Sequence, residues 1–140
     1  ALSAYEHAHK LENFNAEYAA SVGEAHYQLD DNEKANDFFK TAIELDITNI
    51  SIWVQYISFL IDIEEFELAF EAIAIAEEYC QDVELKCCKI AACYQSKKAQ
   101  EGTLLLTQAL MEEEGFGLLL FELFPDLKEE NEILNMIANL

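Results

Sequence analysis

Four cysteines and three histidines are the side chains of this chain best suited to hold a metal or act as nucleophiles, and their spacing argues against both roles. Cys80, Cys87, Cys88 and Cys93 contain no paired CxxC, and His7, His9 and His26 lie far from them in sequence. Zinc requires four ligands converging on one point. His7 and His9 stand two apart, which on a helix sends them to different faces. The thiols fall within helical periodicity and read as small, reduced core residues, as suits a reducing compartment. The adjacent acids Asp30-Asp31, Glu64-Glu65 and Glu77-Glu78 could form a carboxylate dyad. Neighbours diverge around a helix, however, and the first two pairs read as turns. Asp30-x-Asn32 resembles the opening of a calcium loop, but Ala35 stands where that loop needs Gly and no later Glu completes it. There is no nucleophile elbow and no Gly-rich phosphate cradle. The expectation is a non-enzymatic protein without metal or cofactor.

The charge balance narrows the partners. The chain carries 28 acids against 8 bases, all Lys, for a formal net charge of -20. Nucleic acid would be repelled, as would an anionic membrane surface. Acidity favours basic partners, and it also describes an outer face that is simply solvated. The longest uncharged apolar run, Gly115 to Phe121, stops at Glu122, far short of the ~20 residues of a membrane span. Residues 1–6 do not read as a signal peptide, and the expected compartment is cytoplasmic. With 52% hydrophobic residues, one Pro and four Gly, the composition favours packed helices over a turn-rich β fold.

The elements that would position any site emerge from a repeat. Ala1, Ala35 and Ala69 recur at one constant interval, Ala8, Ala42 and Ala76 share it, and Tyr5, Phe39 and Ile73 keep the same beat. A period of roughly 34 residues marks an array of helical hairpins, each burying its apolar face on the next. Residues 16–49 form one unit, with Ala19, Val22, Gly23, His26 and Tyr27 on its first stripe and Ala35, Phe39 and Ala42 on its second. Residues 50–83 form the next, with Trp53, Tyr56, Ile57 and Leu60 followed by Ala69, Ile73 and Ala76. A third unit, 84–115, carries Cys87, Ile90, Ala91 and Tyr94, then Gly102, Leu106 and Ala109, one residue short of the full period. Residues 1–15 read as the second helix of a truncated repeat, so further sequence is expected upstream. Residues 116–140 read as a C-terminal cap ending in a helix over 127–138, with Asp126 as its cap and Ile133, Leu134, Ile137 and Leu140 as its buried side. Seven or eight helices are expected, with Phe39, Trp53, Ile73 and Leu106 buried between units.

These residues resemble the tetratricopeptide repeat (TPR) family, whose pattern runs W-x2-L-G-x2-Y, A-x3-F, a further Ala and a terminal Pro. The match is Val22-Gly23, Ala35-x3-Phe39 and Ala42 in one unit, and Trp53, Leu60, Ala69-x3-Ile73 and Ala76 in the next. It covers residues 1 to about 115. Ile47 and Gln81 stand where the terminal Pro is usual, and His26 replaces Tyr. The resemblance implies an all-α, right-handed superhelical solenoid of antiparallel helix pairs. It also implies a non-catalytic scaffold that binds a peptide or helix in a concave groove lined by first helices.

Projected opposite the packed stripes, that groove holds Glu17, Ala20, Glu24 and Tyr27 from the first unit. The second supplies Val54, Ser58, Ile61 and Asp62, and the third Leu85, Cys88, Ala92 and Gln95. It is acidic and apolar and lacks the Lys and Asn with which TPR domains clamp a chaperone's C-terminal carboxylate. The partner expected is a basic-hydrophobic protein or peptide segment. The second reading is a small acidic secretion-type chaperone shielding apolar client segments. Self-association through the helix carrying Ala1, Tyr5, Ala8 and Leu11 is a further expectation, since that helix would lack its hairpin partner.

Overall fold

The computed structural model describes the backbone of residues 2–139 and the side chains of residues 15–139. Eight α-helices and one 3-10 helix account for the described residues, with no strand among them. They are α1 (Leu2–Gln28), α2 (Asn32–Leu45), α3 (Ile50–Asp62), α4 (Phe66–Tyr79), α5 (Val83–Gln95), α6 (Ala99–Glu112), α7 (Phe116–Leu123) and α8 (Asn131–Ala138). The 3-10 helix, Pro125–Glu129, joins the last two. Helices α1–α2, α3–α4 and α5–α6 pack as hairpins.

One turn is built three times. Asp30, Glu64 and Lys97 adopt the left-handed conformation, with φ of 62°, 63° and 69°. They recur with the period of the alanine stripes, the second step falling one residue short. In each, the following residue's N–H donates five residues back: Asp31 to the His26 carbonyl, Glu65 to Leu60, and Lys98 to Cys93, at 2.8, 2.9 and 2.8 Å. The left-handed residue itself donates to the carbonyl three back. This pair of bonds is a Schellman motif, which satisfies carbonyls left open at a helix end. In the first turn the Asp31 carboxylate also accepts from Lys34 N–H, capping α2.

The second helix of each hairpin presents a small–large–small stripe to its partner. Ala35, Phe39 and Ala42 are fully buried, as are Ala69, Ile73 and Ala76, and Gly102, Leu106 and Ala109 occupy the same places in α6. The close approach is tightest where a side chain is missing. A Cβ on Gly23 would lie 3.2 Å from the Ala35 carbonyl and from the Phe39 ring. One on Gly102 would lie 2.9 Å from the Tyr94 ring. The first hairpin therefore makes room on α1 and the third on α6.

Between hairpins, the first helices pack on one another: α1 on α3, α3 on α5, and α5 on α7. Phe39, buried in α2, meets Tyr56 and Phe59 of α3 at ring separations of 6.1 and 5.2 Å. Trp53 is buried, and its indole N–H donates to the Ile47 carbonyl at 2.7 Å. That bond pins the loop between the first two hairpins, as does the weaker Cys80 thiol contact to the Thr48 carbonyl at 3.6 Å. At the far end, Thr103 donates to Glu132 at 2.9 Å, which leaves the Tyr94 hydroxyl as donor to Thr103 at 2.7 Å. This chain of two bonds ties α5, α6 and α8 together.

Two expectations are corrected. No turn separates residues 1–15 from 16–29; α1 runs unbroken from Leu2 to Gln28. The segment from Lys10 to Ala20 contains neither Gly nor Pro, the strongest helix breakers, and the helix runs through its two Asn residues. The side chains of Tyr5, Ala8 and Leu11, which the truncated-repeat reading relied on, lie outside the described residues. In the C-terminal segment Asp126 does not cap a final helix, because Pro125 opens a 3-10 turn and the helix begins only at Asn131. Ile133 is fully buried there, Ile137 is half-buried and Leu134 is exposed; Leu140 lies outside the described residues.

Two stability measurements follow from this architecture. Trp53→Ala removes a buried ring and the bond that pins the Ile47 loop, and is expected to cost about 3–5 kcal/mol in denaturant unfolding. Glu64→Gly relieves a left-handed side chain whose cost is about 1–2 kcal/mol. After the extra chain entropy of glycine, it is expected to raise stability by up to about 1 kcal/mol. A loss of stability in the glycine variant would contradict the strain assigned to that turn.

Candidate functional site

The face on which α1 and α3 stay open is built around one contact. The Tyr27 hydroxyl donates to Asp62 Oδ2 at 3.3 Å, linking the end of α1 to the end of α3. The Tyr27 ring stands edge-on to Phe59, with centroids 5.3 Å apart and an interplanar angle of 78°. Such edge-to-face contacts fix a ring's orientation as well as burying it. Glu17 and Glu24 are exposed on α1, and Glu24 accepts from Gln28 at 2.9 Å. Val54 and Ser58 are half-buried on α3, and Asp62 is exposed beyond them.

The rest of the predicted groove is closed. Ala20 and Ile61 are buried, because α1 and α3 each pack against more than their own hairpin partner. Leu85, Cys88 and Ala92 are also buried. Helix α5 is flanked by α3, α4, α6 and α7, so both of its stripes are consumed by packing. Gln95 is exposed at its end. The structure therefore brings Tyr27, Glu24 and Asp62 together, leaves Glu17, Val54 and Ser58 at least partly open on the same two helices, and takes Leu85, Cys88 and Ala92 into the core.

Electrostatics concentrate at Asp62. Desolvation raises its pKa above the usual carboxylate range, with the Tyr27 hydrogen bond opposing and the Asp126 and Glu24 carboxylates adding to the rise. The Tyr27 hydroxyl is likewise pushed up, first by desolvation and then by Asp62, Glu24 and Asp30. Asp126, on the 3-10 turn, belongs to this acidic surface although it comes from the C-terminal segment, beyond all three hairpins. Its role was invisible to helical projection, which treats each unit separately.

A second concavity lies away from this face. A cleft of about 330 Å3 opens between the end of α4, the start of α5 and the end of α6. Its floor is apolar, with Cys80, Leu85, Ile90 and Ala109. Its mouth is crossed by ion pairs, Lys86 to Glu112 at 3.7 Å and to Glu113 at 3.6 Å, and Lys89 to Glu77 at 4.0 Å. Exposed pairs of this kind contribute little stability, about 0–1 kcal/mol each. The pairing residues belong to different helices, so no local motif announced them.

Chemical reactivity is suppressed where it would be looked for. All four thiols are free and buried. Burial, with Glu84 adding, pushes Cys87 up to about 12, and Cys88 is raised still further by burial beside Cys87 and Glu84. The thiolate, which is the nucleophile and the metal ligand, is thus strongly disfavoured. Among the described residues no group of three His, Cys, Asp or Glu is placed to hold a metal ion. No described helix is long and apolar enough to cross a membrane. No family model, curated protein or solved structure matches the chain.

The raised Asp62 pKa has a definite sign. The folded state binds a proton more readily than the unfolded chain, so this group's contribution falls as pH rises from the ordinary value of 3.8 through the raised one. Asp62→Asn, which keeps an acceptor for Tyr27, is expected to raise the melting temperature at neutral pH. The gain should vanish well below the carboxylate range, and a gain independent of pH would assign the effect to something other than this charge.

Proposed function

We propose that the chain is a TPR-like interaction module that binds a basic-hydrophobic protein segment across the open face of α1 and α3. The observation that carries this reading is the composition of that face. Val54 and Ser58 stay half-buried on α3, and the exposed carboxylates of Glu17 and Glu24 on α1 and of Asp62 on α3 give the two helices a common negative charge. The repeated Schellman turns, and the small–large–small stripes that recur once per hairpin, support the family part of the reading. On this reading the hairpins stack as a right-handed superhelix, the third hairpin and the C-terminal segment serve as buttress, and binding is confined to the first two hairpins. Self-association through residues 1–15, the N-terminal stretch of α1 that carries Tyr5, Ala8 and Leu11, belongs to the same proposal.

Apolar contact supplies most of the affinity in such a complex, while the acids steer a partner carrying Lys or Arg. Combined Glu24→Lys and Asp62→Lys substitution is expected to slow association and flatten its salt dependence. Val54→Asp should chiefly speed dissociation. Surface plasmon resonance with partners recovered by pull-down separates the two effects. Recovery of acidic proteins or nucleic acid as the main partners would overturn the reading.

A further inference from the structure

The cleft between α4, α5 and α6 is unevenly charged. Four carboxylates stand around its mouth, Glu77, Asp82, Glu112 and Glu113, against two ammonium groups, Lys86 and Lys89. Both lysines are already engaged. Lys86 lies 3.7 Å from Glu112 and 3.6 Å from Glu113, so one ammonium serves two carboxylates, and Lys89 pairs with Glu77 at 4.0 Å. Asp82 is left over. Its side chain makes no capping bond to α5, and no ion pair among the described residues includes it. It nonetheless stands close to the floor: burial first, and then the Asp82 carboxylate, push the Cys80 thiol up. Below the rim the walls are apolar, with Leu85, Ile90 and Ala109 buried and Leu105 half-buried.

We infer that this cleft binds a small organic amine, its apolar body on the floor and its ammonium group at the Asp82 edge of the rim. Three observations select that ligand. The first is size. The cleft's volume of about 330 Å3 falls at the lower end of the ~300–1,000 Å3 typical of small-molecule sites. The second is the arrangement of the ion pairs. They tie α5 to α4 on one side and to α6 on the other. A polypeptide laid along the cleft would have to part them, whereas a small molecule entering beside them leaves both in place. The third is sign. An anionic ligand would meet two lysines already paired, and would add to a surplus of carboxylates in a molecule of net charge -20. A neutral apolar molecule would draw water away from Asp82 and give its charge no partner. An amine covers the apolar floor and supplies a cation where the unpaired carboxylate stands. This site is separate from the face of α1 and α3, and the inference does not rest on segment binding there.

Titration of the 140-residue chain with phenethylamine, phenylacetate and phenethyl alcohol, followed by nuclear magnetic resonance, tests the inference, since the three probes share one aromatic body. The amine is expected to give saturable shifts at Leu85, Ile90 and Ala109. It should bind about tenfold more tightly than the carboxylate, with attraction in place of repulsion at an exposed rim. Asp82→Asn keeps a side chain suited to a helix start and should weaken the amine by up to about fivefold, the range of an exposed ion pair. The same substitution should leave the alcohol unaffected. Glu67→Gln, at the other end of α4, should change nothing. Gln108→Trp, at an exposed position on the rim, is expected to fill the cleft and abolish binding, with a circular dichroism melt to confirm that the variant folds. Saturating amine should also slow alkylation of Cys80 on the floor. Absence of saturable shifts with the amine overturns the inference. So does binding of the carboxylate or the alcohol as tight as that of the amine; the first would assign recognition to Lys86 and Lys89, the second to the floor alone. Amine shifts spread over the acidic residues of every helix, and untouched by Asp82→Asn, would reveal general attraction to the net charge and overturn it as well.

Discussion

Everything in this molecule depends on how closely two helices can lie in one hairpin. Helix axes normally pack about 8–10 Å apart, with the distance set by the side chains at the crossing. Here Gly23 against Ala35 and Phe39, and Gly102 against Tyr94, leave no space for even one further methyl group without a shift. The stripe on the second helix alternates small with large so that the large residue, Phe39, Ile73 or Leu106, sits in the middle of the contact. Because those three side chains occupy equivalent places, each hairpin presents a similar shape to the next. First helices can then pack on first helices along the array.

The turns follow the same economy. A chain reversing between two close helices must end the first abruptly, and a left-handed residue does this in one step. Asp30, Glu64 and Lys97 all accept that conformation despite carrying side chains. Nothing in their types reveals it, since an acid, another acid and a base share no helical or turn preference. The turns themselves were legible from breaks in the apolar pattern, and their common geometry was not. The buried stripes were likewise readable from spacing, because periodicity and burial are the same fact seen in sequence and in space.

What periodicity could not supply were contacts made from outside a unit. The spacing of α5, taken with one buried side, predicts Leu85, Cys88 and Ala92 on an open groove. The apolar segment from Phe116 to Leu123 instead folds as α7 and adds a further neighbour to α5. The same limit applies at Asp62, where Asp126 arrives from the C-terminal segment, and at the α4–α6 cleft, whose ion pairs cross between helices. The unbroken α1 shows the opposite limit. The repeat register predicts a turn near residue 15, but no residue between Lys10 and Ala20 enforces one. The face that remains on α1 and α3 is thus smaller than the sequence implied, and it is set by tertiary neighbours more than by any single helix.

The four buried thiols have one more consequence. They all fall between residues 80 and 93, on α5 and the loop that leads into it, at the centre of the helical packing. Cys80 floors the α4–α6 cleft, but a thiol-specific label can reach Cys87, Cys88 and Cys93 only when those helices part, since local opening is what exposes buried groups in a native protein. The rate of labelling at those three is therefore a clock for breathing at the centre of the array. An oxidant that finds the three thiols of α5 has found a molecule already coming apart, so their modification would mark damaged copies rather than switch intact ones.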